Sequence, residues 1–155
     1  MISEQKCGQN RCCFTGHRPD KLLCSEEDIR CDLKEAILSA MDAGVTTFIS
    51  GMARGVDIWS AEIVLDLKKE NTNINLVCAL PNPEWLQRCK RLCDKADAVV
   101  IIGNGHHPGI YQLRNQWMVD HSSRVIAVYN GQPGGTKNTI DYVNRVGVPV
   151  HQIRG

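Results

Sequence analysis

Four short segments gather glycine together with side chains able to hold an anion: Thr15-Gly16-His17-Arg18-Pro19, Gly51-Met52-Ala53-Arg54-Gly55-Val56-Asp57, Gly103-Asn104-Gly105-His106-His107-Pro108 and Asn130-Gly131-Gln132-Pro133-Gly134-Gly135-Thr136. In the second and fourth, the glycines run straight into a helical pattern. There the unpaired backbone N–H groups and the positive end of the helix dipole favour negative charge, and phosphate is the natural guest. Small residues let the backbone approach the ligand, while Arg18 or Arg54 supplies a charge-assisted contact. A tight turn explains any one of these loops equally well. Two converging loops with basic residues point further. Neither loop is the G-x-G-x-x-G dinucleotide fingerprint or the G-x-x-x-x-G-K-[ST] phosphate loop, which argues against an ordinary dehydrogenase or NTPase.

Several other polar residues are candidates, each with a plainer alternative. Glu62 falls little more than one turn into a helix starting near Asp57, close enough to reach a ligand over a sheet edge, or else it is a solvated helix position. Asp57 suits a ligand contact and equally a helix cap. Arg114 and Asp120 serve either a site or an exposed helix face. His17 can hydrogen-bond phosphate or ribose or play a structural part. His106 and His107 lack a third metal ligand nearby, so no metal is expected.

These loops need elements to position them. Apolar runs at Arg11–Phe14, Thr46–Ser50, Ile74–Leu80, Ala98–Ile102, Arg124–Tyr129 and Val148–Ile153 read as strands. They are nearly continuous, as in strands covered on both faces. Helical spacing fills the intervals. Ser25 opens an N-cap signal followed by Ile29, Leu33, Ile37 and Met41, with a stop at Gly44. Asp57–Lys69, Glu84–Asp94, Ile110–His121 and Thr136–Val146 follow suit. The alternation predicts an α/β fold, a doubly wound and mainly parallel sheet of five to six strands with helices on both faces. Such sheets bind ligands beyond the carboxyl ends of their strands. All four glycine-bearing loops fall on that edge.

The chain has 155 residues, with 18 Lys and Arg against 17 Asp and Glu, so no bulk positive charge points to nucleic acid or an anionic membrane. Its size suits one domain over residues 11–155, preceded by a loose, polar segment at residues 1–10. No apolar run matches a membrane span or a secretory signal, so a cytoplasmic protein is expected. The eight cysteines should then be reduced thiols. Cys7, Cys12, Cys13, Cys24, Cys31, Cys78, Cys89 and Cys93 include no C-x-x-C pair. Neighbouring Cys12 and Cys13 in a strand must face opposite ways. Cys89 and Cys93 share a helical face with Trp85 and fit as small core residues.

The motifs T-G-H-R-P, S-G-x-A-R-G-x-D and R-N-x-x-M-V-D, with Ala79-Leu80-Pro81 and the segment Ala127–Val143, resemble the YpsA-like branch of the SLOG superfamily. The resemblance runs from Cys12 to Ile153. That Rossmann-like superfamily also contains DprA and the LOG phosphoribohydrolases. It implies a compact domain that binds a nucleotide or nucleotide-derived ligand, such as an adenosine phosphate or an ADP-ribose derivative. By matching position, the ligand shell it implies is Thr15, Gly16, His17, Arg18, Gly51, Arg54, Gly55, Asp57, Glu62, Arg114, Asn115, Gly134, Gly135 and Thr136. It also implies a homodimer.

This chain departs from its relatives at the chemistry. The LOG pattern P-G-G-x-G-T-x-x-E carries a glutamate, whereas here Pro133-Gly134-Gly135-Thr136-Lys137-Asn138-Thr139 is shorter and has none. The leading expectation is therefore a module that binds a nucleotide-derived small molecule, with no cofactor. The alternative is an N-glycoside or nucleotide hydrolase using Glu62 or Asp57 as its acid–base group. A DprA-like single-strand DNA binder ranks below both, because the charge is near neutral and aromatics are few.

Overall fold

In the computed structural model, which describes residues 10–155, six strands pair entirely in parallel in the order β4-β3-β2-β1-β5-β6. They are β1 (Arg11–Gly16), β2 (Thr47–Ser50), β3 (Asn75–Leu80), β4 (Ala98–Ile101), β5 (Arg124–Tyr129) and β6 (Val150–Arg154). The strand ends lie within two residues of the sequence reading, and those of β5 coincide with it. The loose segment expected at residues 1–10 lies outside the described residues except for Asn10, as does Cys7. Asn10 is held, since its carbonyl accepts the backbone N–H groups of Thr46 and Thr47 at 2.9 and 3.1 Å.

The helices are α1 (Glu26–Asp42), α2 (Val56–Lys68), α3 (Trp85–Arg88), α4 (Lys90–Cys93), α5 (Ile110–Asp120) and α6 (Gly135–Val146). Ser25 caps α1 by accepting the N–H of Asp28 at 3.1 Å, as its sequence signal predicts. The expected helix over Glu84–Asp94 is two helices. Cys89 leaves helical geometry at φ −122° and ψ 21°, while Trp85 is tethered elsewhere by its indole N–H.

The two faces of the sheet are unequal. On one, α1 and α2 cover a large core that includes Cys12, Phe14, Leu33, Ile37, Phe48, Leu76 and Ile126. Burying each large aliphatic side chain contributes roughly 1.5–3 kcal/mol. On the other, α5 and α6 cover a smaller cluster of Cys13, Ile49, Ala79, Met118, Val119, Val125 and Val143. Cys12 and Cys13 thus fall into opposite cores, as strand alternation requires. Strand β4 departs from the expectation of cover on both faces, because as a sheet edge it leaves Val99 and Ile101 exposed. No described helix is long and apolar enough to cross a membrane.

Candidate functional site

Strand order reverses at β1, which lies between β2 and β5. The chain leaves the carboxyl ends of β1, β2 and β5 through three of the glycine-bearing turns, so these converge at the switch point where doubly wound folds bind ligands. Adjacent strands lie about 4.8 Å apart, which places the turns after β2 and β5 roughly 10 Å from each other across β1. That span accommodates a ribose and its phosphate.

The turn after β2 is fixed by its own polar groups. The Ser50 hydroxyl donates to the Asp57 carbonyl at 2.8 Å and accepts the N–H of Met52 at 3.2 Å. The Asp57 carboxylate accepts the N–H of Ala53 at 3.2 Å. Arg114 reaches across from α5 and donates to the carbonyl of Gly51, while its Nε donates to Asn115 Oδ1 at 2.8 Å. A Cβ on Gly51 would stand 2.9 Å from both the Arg114 guanidinium and the Asp57 carboxylate, so only glycine fits between them. Met52 pays a backbone cost at φ +58°, and its carbonyl accepts the Trp85 indole N–H at 3.1 Å. Gly55 packs on Pro19, and Gly16 on Val56, so the turns after β1 and β2 lean together.

Asp57 and Arg114 are 8% and 4% exposed. Burial raises the Asp57 carboxyl to about 6, with Arg114 and the Ala53 N–H pulling the other way. Burial likewise lowers Arg114 from its ordinary value, and Asp57 opposes this. The carboxyl is therefore poised near neutrality, a property suited to proton transfer as well as to structure.

The turn after β5 is built differently. Gly134, at φ +146°, begins α6 without a side-chain cap, and the first intrahelical bond runs from the Asn138 N–H to the Gly134 carbonyl. The N–H groups of Gly135, Thr136 and Lys137 thus have no helical acceptor. Nothing stands within 4 Å of where a Cβ on Gly135 would sit, and the Lys21 ammonium lies 3.8 Å from the corresponding point on Gly134. Asn130 joins the turns after β1 and β5, donating to the Lys21 carbonyl at 2.7 Å and accepting the Gln132 N–H at 2.9 Å. Beside them, His17 is buried and stacked on Tyr129 with ring centres 5.5 Å apart. Its Nε2 has no partner among the described residues. Burial and the Lys21 charge lower its pKa, with Asn130 opposing, so the imidazole is neutral at pH 7.

Of the sequence candidates, Thr15, Gly16, His17, Arg18, Gly51, Arg54, Gly55, Asp57, Arg114, Asn115, Gly134, Gly135 and Thr136 all lie at or beside this edge. Arg18 and Arg54 are exposed, and Arg54 approaches Asp20 at 3.6 Å. Glu62 is drawn elsewhere. It accepts from Arg30 of α1 at 3.2 Å, between the two helices of the larger core. Asn130 heads the fourth glycine-bearing segment and Lys21 lies just past Thr15–Pro19, but the sequence singled out neither as a site residue.

A doubly wound, all-parallel sheet with glycine turns at its switch point makes this a Rossmann-like α/β domain. The family model YpsA, described as the YspA SLOG family, matches residues 12–146, and the chain belongs to that family. It is 29% identical over 141 residues to the uncharacterized SPbeta prophage-derived protein YoqJ of Bacillus subtilis (strain 168), covering 73% of this chain and 81% of that protein. It is 27% identical over 126 residues to a UPF0398 protein of Ligilactobacillus salivarius (strain UCC118), covering 75% and 68%. The X-ray structure of DNA processing protein A (DprA) from Streptococcus pneumoniae superposes with a TM-score of 0.64 at 16% identity, over 94% of this chain. This chain spans half the length of that one.

Proposed function

We propose that the protein binds a nucleotide or nucleotide-derived ligand of the adenosine phosphate or ADP-ribose type, with a phosphate at the start of α6. One observation carries this reading: α6 starts without a side-chain cap, the point where a Gly135 Cβ would stand is open, and the Lys21 ammonium lies 3.8 Å from the corresponding point on Gly134. Backbone donors, helix dipole and cation all favour an anion there. Arg18 and Arg54, exposed on the neighbouring turns after β1 and β2, suit the remainder of such a ligand.

Calorimetric titration with adenosine monophosphate and ADP-ribose tests this. Saturable heat in the wild type, abolished by Gly135→Glu and weakened about tenfold by Lys21→Ala, is the expected result. Unchanged affinity in Gly135→Glu would reject the phosphate position; the first atom the substitution adds, its Cβ, meets nothing within 4 Å.

The raised Asp57 pKa supports a second reading, hydrolysis of an N-glycosidic bond with Asp57 as the acid–base group. Continuing heat after each injection, with a released base found by chromatography and lost in Asp57→Asn, would select it. Glu62 is the weaker acid–base candidate, since Arg30 already holds its carboxylate.

A further inference from the structure

Three of the buried thiols lie together beneath the turn between α3 and α4, away from the proposed phosphate position. Cys89 and Cys93 place their sulfurs 3.2 Å apart, closer than the roughly 3.5–4.0 Å at which even smaller carbon atoms settle without bonding. Cys78 of β3 lies against the same pair. Residues four apart on a regular helix hold their Cβ atoms about 5–6 Å apart, too far for the roughly 3.8 Å of a disulfide. Here the pair spans a single helical turn, closed by the Cys93 N–H on the Cys89 carbonyl at 2.9 Å, and Cys89 itself leaves helical geometry, so forming the bond distorts one short turn rather than a long element.

The geometry points to Cys89 and Cys93 as an oxidation site, a thiol pair that closes to a disulfide when a peroxide reaches it. One thiol, as its thiolate, attacks the peroxide and becomes a sulfenic acid, releasing one water. The second thiol displaces the hydroxyl as another water, and its sulfur bonds to the first. Overall the two thiols lose two hydrogens and two electrons, and hydrogen peroxide becomes two waters. Burial raises the Cys89 thiol, so it is protonated at neutral pH. Reaction therefore follows opening of the short α3–α4 turn and is slower than for an exposed, low-pKa cysteine.

The pair is wired to a neighbouring loop. Cys89 Sγ donates to the Trp85 carbonyl at 3.3 Å, and the Trp85 indole donates to the Met52 carbonyl in the turn after β2. Closing the disulfide draws Cys89 from that carbonyl and shifts Trp85.

The test uses the intact protein exposed to graded hydrogen peroxide, quenched with N-ethylmaleimide, then digested and weighed. The expected result is loss of two hydrogens across a Cys89–Cys93 link, restored by dithiothreitol. A tryptophan emission change should accompany it, reverse with dithiothreitol and be absent in Cys93→Ser. Recovery of both residues as maleimide adducts under peroxide that oxidises exposed Cys31 would overturn the assignment, as would a link from either residue to Cys78. Should Cys93→Ser fail to fold, the wild-type digest decides alone. No nucleotide enters this experiment, so its failure leaves the ligand reading untouched and the reverse also holds.

Discussion

The turns after β2 and β5 share a glycine-rich sequence and a helix start, yet they spend their polar groups in opposite ways. Around Gly51, hydroxyl, carboxylate, guanidinium and indole all bond to the loop itself. At the start of α6 the helix has no side-chain cap, and the Lys21 ammonium stands beside Gly134. Glycine in the first turn answers a steric demand of the fold. In the second it keeps space clear above a helix terminus. The same kind of motif is braced from within in one place and left open in the other.

This contrast can be broken first at Arg114. Arg114→Ala removes the tie to Gly51 and leaves the buried Asp57 carboxylate without its cation, so urea unfolding should show a loss of about 3 kcal/mol. A loss below about 1 kcal/mol would mean that the β2 turn is not held as described.

The pH dependence sharpens the same point. Asp57 has a folded pKa of about 6 against an ordinary 3.8, so between these values the native state binds more protons than the unfolded chain. Stability from this group is therefore present at low pH and declines as pH rises from about 4 to 6, by something on the order of 2 kcal/mol. Stability curves of Asp57→Asn should lack that decline. A parallel decline in wild type and variant would assign it to other groups.

The smallest effect is the most direct comparison, one methyl group added to each turn. Gly51→Ala forces a Cβ to within 2.9 Å of two buried charged groups and should cost about 1–3 kcal/mol. Gly135→Ala meets nothing and should stay within about 0.5 kcal/mol of wild type. Equal effects at the two positions in thermal unfolding would erase the distinction.

Much of this was legible in the sequence because it rests on local periodicity. Apolar runs and helical spacing located all six strands, and alternation of the two implied parallel pairing with the loops on one edge. The signal failed where tertiary contacts decide. Glu84–Asp94 has the spacing of one helix, and only the tether of Trp85 to Met52 explains a break at Cys89. The apolar run of β4 reads like its neighbours, since a sequence does not announce which strand ends a sheet. Within the candidate site, residue types marked the edge, but burial separated their roles. Arg114 read either as a site residue or as a helix surface charge, and it is a buried brace on Gly51. Lys21, just past the Thr15–Pro19 motif and not singled out within it, stands at the open turn because the short Pro19–Lys21 helical turn carries it toward Gly134.

The central place of β1 also sets an order for folding. Its pairing with β2 joins residues fewer than forty apart, but its other edge waits for Arg124–Tyr129, where Ser123 bonds to the Arg11 carbonyl across 112 positions. α5 ends at Asp120, just before that strand, and α6 follows it, so Cys13, Ile49 and Ala79 lack their helical cover until late in the chain. A chain emerging from the ribosome thus carries an open strand edge and a bare apolar face through most of its synthesis. Such long-range parallel pairing is slow, and the interval is when this protein is most exposed to misassociation.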